Sequence, residues 1–205
     1  MLNFPFTAVL LAGGLSRRMG RDKALVEIAG EVLWKRQLIV LRQLNPTELF
    51  ICGRPDKEYE GACCDVITDL VPDRGPMGGL HTALKHASTD TLLLLAVDMP
   101  AMKPAFLQGL LDKALAAQRS IVPKGPNGVE PLAAVYRAES RTVVEECLSA
   151  EKLSMRTLIM TLEQQKLVEL YAIPEHDLPL FANVNTPEEL AAAGGSVETG
   201  GQNRN

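Results

Sequence analysis

Short aliphatic runs alternate along this chain with segments of helical periodicity. Residues Thr7–Leu11 and 91–97 are continuous β-branched or aliphatic runs, which are typical of strands buried on both faces of a parallel sheet. Between them, Trp34, Leu38 and Leu41 recur at the spacing of one helical face. The pattern therefore predicts a strand, a helix and further strands in succession.

Weaker signals continue the same alternation toward the C-terminus. Further strands are predicted at residues 48–52, 65–68, 120–122 and 131–136. A helix is predicted after Pro104, because Leu107, Leu110 and Ala114 share one face. This order favours an α/β fold with a mainly parallel sheet flanked by helices, in which ligands bind beyond the carboxyl ends of the strands. The loops after Leu11 and Val97 are therefore the informative ones.

The C-terminal region changes character within a few residues. Thr186, Pro187 and Glu189 combine an N-cap threonine, a first-turn proline and a capping-box glutamate, and so predict a final short helix. From Gly194 onward the chain is rich in Gly, Ser and Asn and has no apolar periodicity. We expect one domain over residues 1–193 and a disordered tail over residues 194–205.

Composition limits the classes of function that remain. The 205 residues are 46% hydrophobic and 22% charged, which is ordinary for one folded domain. A net charge of −4 argues against a general nucleic-acid binder, which would carry a broad basic surface. The apolar run at residues 92–97 is too short to cross a membrane, and no secretory signal is evident, so we expect a cytoplasmic protein. The four cysteines form no C-x-x-C pair, so packed, reduced thiols are expected.

The loop after the first strand carries the strongest chemical signal. Residues 11–23 hold three glycines, three arginines and Lys23. Glycines let backbone N–H groups approach a phosphate chain closely, and the cations neutralise its charge, so the loop fits a triphosphate. It is neither a Walker A motif nor G-x-G-x-x-G. A solvated basic turn with structural glycines is the alternative.

This loop resembles the signature of the molybdenum cofactor nucleotidyltransferase family. The family pattern is Leu-Ala-Gly-Gly or Leu-Ala-Ala-Gly, followed by Ser-x-Arg-Met-Gly-x-x-Lys, and residues 11–23 follow it. Four later blocks agree in order, at residues 75–80, 98–100, 130–132 and 183–187. The resemblance covers nearly the whole chain before the tail. It implies a single Rossmann-like nucleotidyltransferase domain.

The resemblance also implies roles for individual residues. The nucleotide contacts that it implies are Leu11, Ala12, Gly13, Gly14, Lys23, Asp69 and Asp98. Lys23 would lie against the phosphates as a point charge, and Arg18, with Arg17 beside it, would hold the pyrophosphate leaving group. The alternative is that one of these two arginines faces solvent.

Asp98 is the position at which the family places Mg²⁺. It follows a buried apolar run, so its carboxylate should emerge at a strand end, where one protein oxygen and phosphate oxygens can hold a hard cation. We therefore expect Lys23, Arg18 and Asp98 to be the catalytic residues. The alternative for Asp98 is to cap the helix that follows Pro100.

The remaining blocks are assigned to the base and the acceptor. Residues 75–79 indicate either a second loop of close approach or a helix entrance. By resemblance, Asn183 and Asn185 face the acceptor, although Asn185 has an alternative role as an N-cap. Cys52 stands where the family often has a nucleotide-contacting asparagine, and a thiol replaces an amide poorly. Backbone groups of Cys52 or Gly53 are an alternative source of that contact.

The implied reaction is transfer of GMP from GTP to molybdenum-molybdopterin cofactor, with pyrophosphate released. Gly14 favours guanine, since the guanylyl branch of the family carries Leu-Ala-Gly-Gly. Three alternatives stay open: cytidylyl transfer from CTP to the same acceptor, a sugar-phosphate nucleotidyltransferase, and a non-catalytic nucleotide or cofactor carrier. Expected partners are the two substrates and, transiently, cofactor-synthesis proteins and molybdoenzymes or their chaperones, but neither nucleic acid nor membrane.

Overall fold

A computed structural model describes residues 4–13, 23–54, 59–184 and 195–196. The strands in these ranges are β1 (Thr7–Leu11), β2 (Glu27–Ile28), β3 (Glu31–Val32), β4 (Glu48–Cys52), β5 (Asp65–Ile67), β6 (Thr91–Ala96), β7 (Ser120–Gly125), β8 (Gly128–Val129), β9 (Ala133–Arg137), β10 (Val168–Ala172) and β11 (Gly195–Ser196). The α-helices are α1 (Leu33–Arg42), α2 (Gly75–His86), α3 (Pro104–Ala117), α4 (Ser140–Ser149) and α5 (Met155–Gln164). Short 3₁₀ helices cover Lys23–Leu25 and Glu175–Phe181.

The main sheet has the order β10-β7-β9-β6-β1-β4-β5, and β8 pairs with β7. Neighbouring strands β6, β1, β4 and β5 are parallel, as are β10 and β7. The exceptions on this path are the pairs of β9, which runs antiparallel to both β6 and β7. The expectation of a mainly parallel sheet flanked by helices is confirmed, with one reversed strand inserted into it.

Helices pack on both faces of the sheet because its central strands are apolar on both sides. On β6, Leu93 and Leu95 belong to one buried cluster, while Leu92 and Leu94 belong to the other. The first cluster includes the apolar faces of α1 and α3, and the second includes those of α2, α4 and α5. Side chains alternate across a strand, so a continuous aliphatic run can serve both layers.

A hydrogen-bond network fixes the amino ends of the central strands. The Glu48 carboxylate on β4 accepts hydrogen bonds from the Thr7 hydroxyl at 2.6 Å and from the Ser88 N–H at 2.9 Å. The Ser88 hydroxyl also donates to it at 2.7 Å. These contacts join β1, β4 and the segment before β6 at the amino ends of the three strands. The candidate site lies at the carboxyl ends of the same strands.

The predicted elements agree with the structure except at their boundaries. The strand expected at 131–136 begins at Ala133, because residues 131 and 132 form a turn, and it is the reversed strand β9. The final helix expected at Thr186 lies outside the described residues. Within the expected tail, β11 pairs with β2 in a separate three-stranded sheet that also contains β3. The domain boundary at residue 193 stays a prediction.

No membrane-spanning helix is present in residues 4–13, 23–54, 59–184 or 195–196, since none there is long and apolar enough.

Candidate active site

The carboxyl ends of β4, β1 and β6 lie side by side, at the point in the sheet where α/β proteins have a ligand crevice. Leu11 at the end of β1 pairs in register with Cys52 of β4 and Ala96 of β6. Beyond the strand, the Ala12 N–H donates to the Cys52 carbonyl at 2.9 Å, and the Val97 N–H donates to the Leu11 carbonyl at 3.0 Å. The chain leaves β1 toward β4 on one side and returns as β6 on the other. Such a reversal of strand order opens a ligand crevice in α/β sheets.

One wall of the crevice is formed by Cys52, Asp69 and the first turns of α2. The Cys52 thiol lies 3.2 Å from Asp69 Oδ1, to which it donates a hydrogen bond. Cys52 is buried and Asp69 is exposed. The Leu70 N–H donates to the Thr82 hydroxyl of α2 at 2.9 Å, which fixes the backbone next to Asp69. A carboxylate is thereby presented at the strand ends, on the β4 side of β1.

The glycines of residues 75–79 form the entrance of α2, the second of the two structures expected there. Pro76 lies in the first helical turn, where its missing N–H costs nothing. Gly79 is buried, and a Cβ built on it would lie only 2.8 Å from Leu11 Cδ2. The helix backbone at Gly79 therefore packs directly against the Leu11 side chain at the end of β1.

Asp98 lies on the other side of β1, two residues after the end of β6. It is half-buried, and its carbonyl accepts a hydrogen bond from the Val184 N–H at 3.0 Å. The helix-capping alternative does not hold, because α3 begins at Pro104 with Lys103 at its N-cap position. Asp98 therefore lies before the helix, near the carboxyl end of β6, and does not cap it.

Two side chains of α1 hold the loop that follows Asp98. Arg36 Nε donates to the Pro100 carbonyl at 3.0 Å, and the fully buried Gln37 amide donates to the Met99 carbonyl. Sequence reasoning missed both residues, as it missed Thr82. The available signal was a glutamine between the core positions Trp34 and Leu38, because a buried polar side chain requires a partner.

Several predicted site residues lie outside the described part of the chain. The 3₁₀ helix Lys23–Leu25 gives the backbone of Lys23 but not its side chain. Gly14, Arg17, Arg18 and Asn185 are not described, so their roles stay predictions. The structure brings together Leu11, Ala12, Gly13, Asp69, Asp98 and, through Val184, Asn183.

Burial changes the acid–base properties of two groups at this edge of the sheet. Burial, reinforced by the negative charge of Asp69, raises the pKa of the Cys52 thiol well above its ordinary value, so the thiol stays protonated near neutral pH. Burial also raises the pKa of Glu130, which precedes β9. The Cys52 thiol is therefore not poised to act as an ionised nucleophile.

In the described ranges, no group of three or more His, Cys, Asp or Glu side chains is arranged to hold a metal ion. Asp98 fits Mg²⁺ in a different way, because Mg²⁺ is commonly held by one or two carboxylates together with substrate phosphate oxygens and water. A half-buried carboxylate at a strand-end crevice has the chemistry for that arrangement.

The described parts of the five sequence blocks converge on this edge of the sheet. Residues 75–79 meet the end of β1 through Gly79 and Leu11, and the Asp98 block joins it through the bond from Val97 to Leu11. The Ala96 N–H donates to the Leu132 carbonyl at 2.7 Å, and Val184 binds Asp98. Together, the fold and site define an α/β protein with a nucleotide-type crevice at the switch point of its sheet.

Comparison with known proteins makes the assignment specific. The MobA-like NTP transferase domain matches residues 8–167, which is most of the chain. The chain belongs to this family of nucleotidyltransferases.

Relatives and solved structures agree with this assignment. A probable molybdenum cofactor guanylyltransferase of Opitutus terrae is 35% identical over 183 residues, covering 88% of this chain and 90% of the relative. A protein of the same name from Natronomonas pharaonis is 35% identical over 196 residues, covering 91% and 96%. The crystal structure of molybdopterin-guanine dinucleotide biosynthesis protein A from Archaeoglobus fulgidus superposes with a TM-score of 0.73 at 28% identity, covering 92% of this chain and 96% of the other.

Proposed function

We propose that this protein transfers GMP from GTP to molybdenum-molybdopterin cofactor, forming molybdopterin guanine dinucleotide and pyrophosphate. The observation that carries the proposal is the convergence of the described parts of five separate sequence blocks at the ends of β1 and β6. The two relatives described above, which match along about nine-tenths of this chain, carry the guanylyltransferase name. That name supports GTP as the donor.

The reaction requires positioning and charge neutralisation rather than an enzymic nucleophile. An oxygen of the acceptor phosphate attacks the α-phosphorus of GTP in line. A new phosphorus–oxygen bond forms, the bond from the α-phosphorus to the oxygen bridging to the β-phosphorus breaks, and pyrophosphate leaves. Because the acceptor phosphate is already ionised near neutral pH, no strong base is needed.

The residues of this chain would divide the work by their place in the crevice. Ala12 and Gly13 lie at the end of β1, where backbone groups can approach the nucleotide. Asp69, on the β4 side, would accept hydrogen bonds from the base or ribose. Asn183, next to the Val184 contact with Asp98, would face the acceptor on the β6 side. The nucleotide and acceptor would thus meet over β1 and β6.

Lys23 and Arg18 would neutralise the phosphates, Lys23 as a point charge and Arg18 as a forked donor on the departing pyrophosphate. Asp98 would hold Mg²⁺, which, when bound, supplies charge stabilisation to the triphosphate and the leaving group. The bonds from Val184, Arg36 and Gln37 keep the Asp98 loop in place for this task. Preorganised charge of this kind lowers the barrier without a covalent intermediate.

The test measures pyrophosphate release by the purified protein with Mg²⁺ and molybdenum-molybdopterin, comparing GTP, CTP, ATP and UTP at equal concentration. We expect turnover with GTP and a product with the mass of the guanine dinucleotide. A preference for CTP would overturn the guanine assignment while retaining the reaction class. Binding of GTP without pyrophosphate release, by folded protein with intact cofactor, would instead indicate a carrier.

A further inference from the structure

Cys52 and Asp69 form a contact that neither element alone would produce. Cys52 is the last residue of β4, and Asp69 lies on the segment between β5 and α2. The fold brings the thiol to 3.2 Å from Asp69 Oδ1, and the Gly79 carbonyl lies 3.9 Å from the same sulfur. Cys52 is buried, with only 3% of its surface exposed. It is therefore held beneath an exposed carboxylate.

The thiol is a hydrogen-bond donor in this setting. Burial, with the Asp69 charge acting in the same direction, raises the pKa of Cys52, so its proton is retained near neutral pH. A protonated thiol has one S–H group, and Asp69 Oδ1 is the nearer of its two acceptors. The proton is accordingly directed at the carboxylate.

The Asp69 carboxylate is exposed, and the Cys52 thiol is a partner that restrains it. Its two oxygens lie beside the first turn of α2, where a Cβ on Gly79 would lie 3.7 Å from Oδ1 and a Cβ on Gly78 would lie 3.7 Å from Oδ2. The bond from Leu70 N–H to Thr82 fixes only the neighbouring backbone. An exposed side chain with free rotamers loses conformational entropy when it binds a ligand.

We propose that Cys52 is a positioning residue for nucleotide binding, whose thiol fixes the Asp69 carboxylate in the orientation that contacts the nucleotide. The inference rests on the proposed function at one point, that Asp69 contacts GTP. It gives Cys52 a role different from that of the asparagine often found at this position in the family. Cys52 acts through Asp69 instead of touching the ligand with an amide.

The experiment is a double-mutant cycle on GTP affinity. The dissociation constant for Mg²⁺-GTP is measured by calorimetry for the wild type, Cys52→Ala, Asp69→Asn and the double variant, and kcat is measured beside it. Cys52→Ala should weaken GTP binding about threefold, as expected for one modest hydrogen bond. It should leave kcat within about twofold, because the thiol does not touch the reacting atoms. In the Asp69→Asn background the same change should have a smaller effect, because the thiol donates more weakly to a neutral amide oxygen than to a carboxylate.

Two other variants separate positioning from packing. Cys52→Ser retains a hydroxyl donor and should bind GTP within about twofold of the wild type. Cys147→Ala removes a different buried thiol, on α4, and should leave GTP affinity unchanged. Thermal melting of each variant establishes that it is folded, and the serine variant keeps the test open if the alanine variant is too unstable to measure.

The possible results distinguish this inference from the proposed function. If Asp69→Asn weakens GTP binding but Cys52→Ala does not, the positioning role is wrong and the proposed function stands. The same conclusion follows if the losses of binding free energy from the two changes are fully additive in the double variant. If Asp69→Asn itself leaves GTP affinity unchanged, the nucleotide role of Asp69 fails, and the inference fails with it. If the wild type binds no GTP, the proposed donor is wrong.

Discussion

At the scale of single residues, the crevice depends on side chains that backbone contacts hold in place. Asp98 is the clearest case. Its carbonyl accepts from Val184, and the two carbonyls after it accept from Gln37 and Arg36. This leaves a half-buried carboxylate on a loop held from both sides. Its function can therefore be tested by a change that preserves shape.

Replacing Asp98 with Asn should lower kcat about 100-fold or more, because the amide removes the charge that would hold Mg²⁺ near the phosphates. The measurement is pyrophosphate release over a range of Mg²⁺ concentrations. Asp112→Asn, an equivalent change at an exposed position of α3, is the control and should be neutral. Equal activity of the two variants would remove Asp98 from the catalytic residues.

At the scale of elements, two connections decide how the strands and helices meet at the crevice. The start of α2 packs on the end of β1 at Gly79, and the amino ends of β1 and β4 are joined through Glu48. The contact at Gly79 leaves little room for a side chain. The network at Glu48 requires an ionised carboxylate. Each gives a distinct experiment.

Gly79→Ala and Gly109→Ala place the same change in two helices. The Cβ at Gly109 would meet no atom within 4 Å, so alanine should raise the free energy of unfolding by about 0.5 to 1 kcal/mol through helix propensity. At Gly79 the contact of the new methyl with Leu11 should offset that gain, so alanine there should raise the free energy of unfolding less than at Gly109. Urea denaturation measures the free energy of unfolding of each variant. Equal stabilisation by Gly79→Ala and Gly109→Ala would contradict the close packing at Gly79.

Glu48 should make stability depend on pH. Its partial burial alone would raise the pKa of the carboxyl, but the hydrogen bonds from Thr7 and Ser88 outweigh burial and hold it below its ordinary value. A lowered pKa means that the stabilisation is fully present above the unfolded-state value near 4.5 and is lost as pH falls through the folded-state value.

Urea unfolding between pH 7 and pH 3 checks this expectation. The wild type should lose more stability over the acid part of that range than Glu48→Gln, because the glutamine cannot titrate. Glu163→Gln, at an exposed position of α5, should behave like the wild type. If the pH curves of wild type and Glu48→Gln were parallel, the network would contribute nothing through ionisation.

At the scale of the whole molecule, ligand binding and folding are linked because the crevice is assembled from distant parts of one sheet. The ends of β1, β4 and β6 meet there, and Val184 joins them through its hydrogen bond to Asp98. The unfolded chain holds none of these positions together. A ligand that binds the crevice should therefore stabilise the entire fold.

Mg²⁺-GTP at about 100 times its dissociation constant should raise the free energy of unfolding by about 2.7 kcal/mol. For a chain of this size, that corresponds to an increase in Tm of about 5 to 10 °C. Thermal melting with and without GTP measures it, with Mg²⁺ alone as the control. An unchanged Tm, under conditions where calorimetry shows saturation, would mean that GTP binds the unfolded chain equally well.

Much of the fold was predictable because local patterns carry it. The aliphatic run before Asp98 specifies a strand buried on both faces, and β6 is that strand. Proline and glycine at residues 75–79 mark a helix entrance, which is where α2 begins. The antiparallel direction of β9 was not predictable, because the apolar pattern of a short strand does not show whether the strand runs parallel or antiparallel to its neighbours.

The candidate site divides in the same way. The sequence by itself determined which residue types can serve a nucleotide, since the glycine-rich basic loop, Asp69 and Asp98 have the required chemistry wherever they lie. Only the tertiary structure decided which residues support them: the Cys52 thiol beneath Asp69, and Gln37 and Arg36 behind the Asp98 loop. The physical reason is that chemical character is a property of a residue and its neighbours in sequence, whereas these contacts join positions 17 to 64 residues apart and exist only after the sheet and helices have packed.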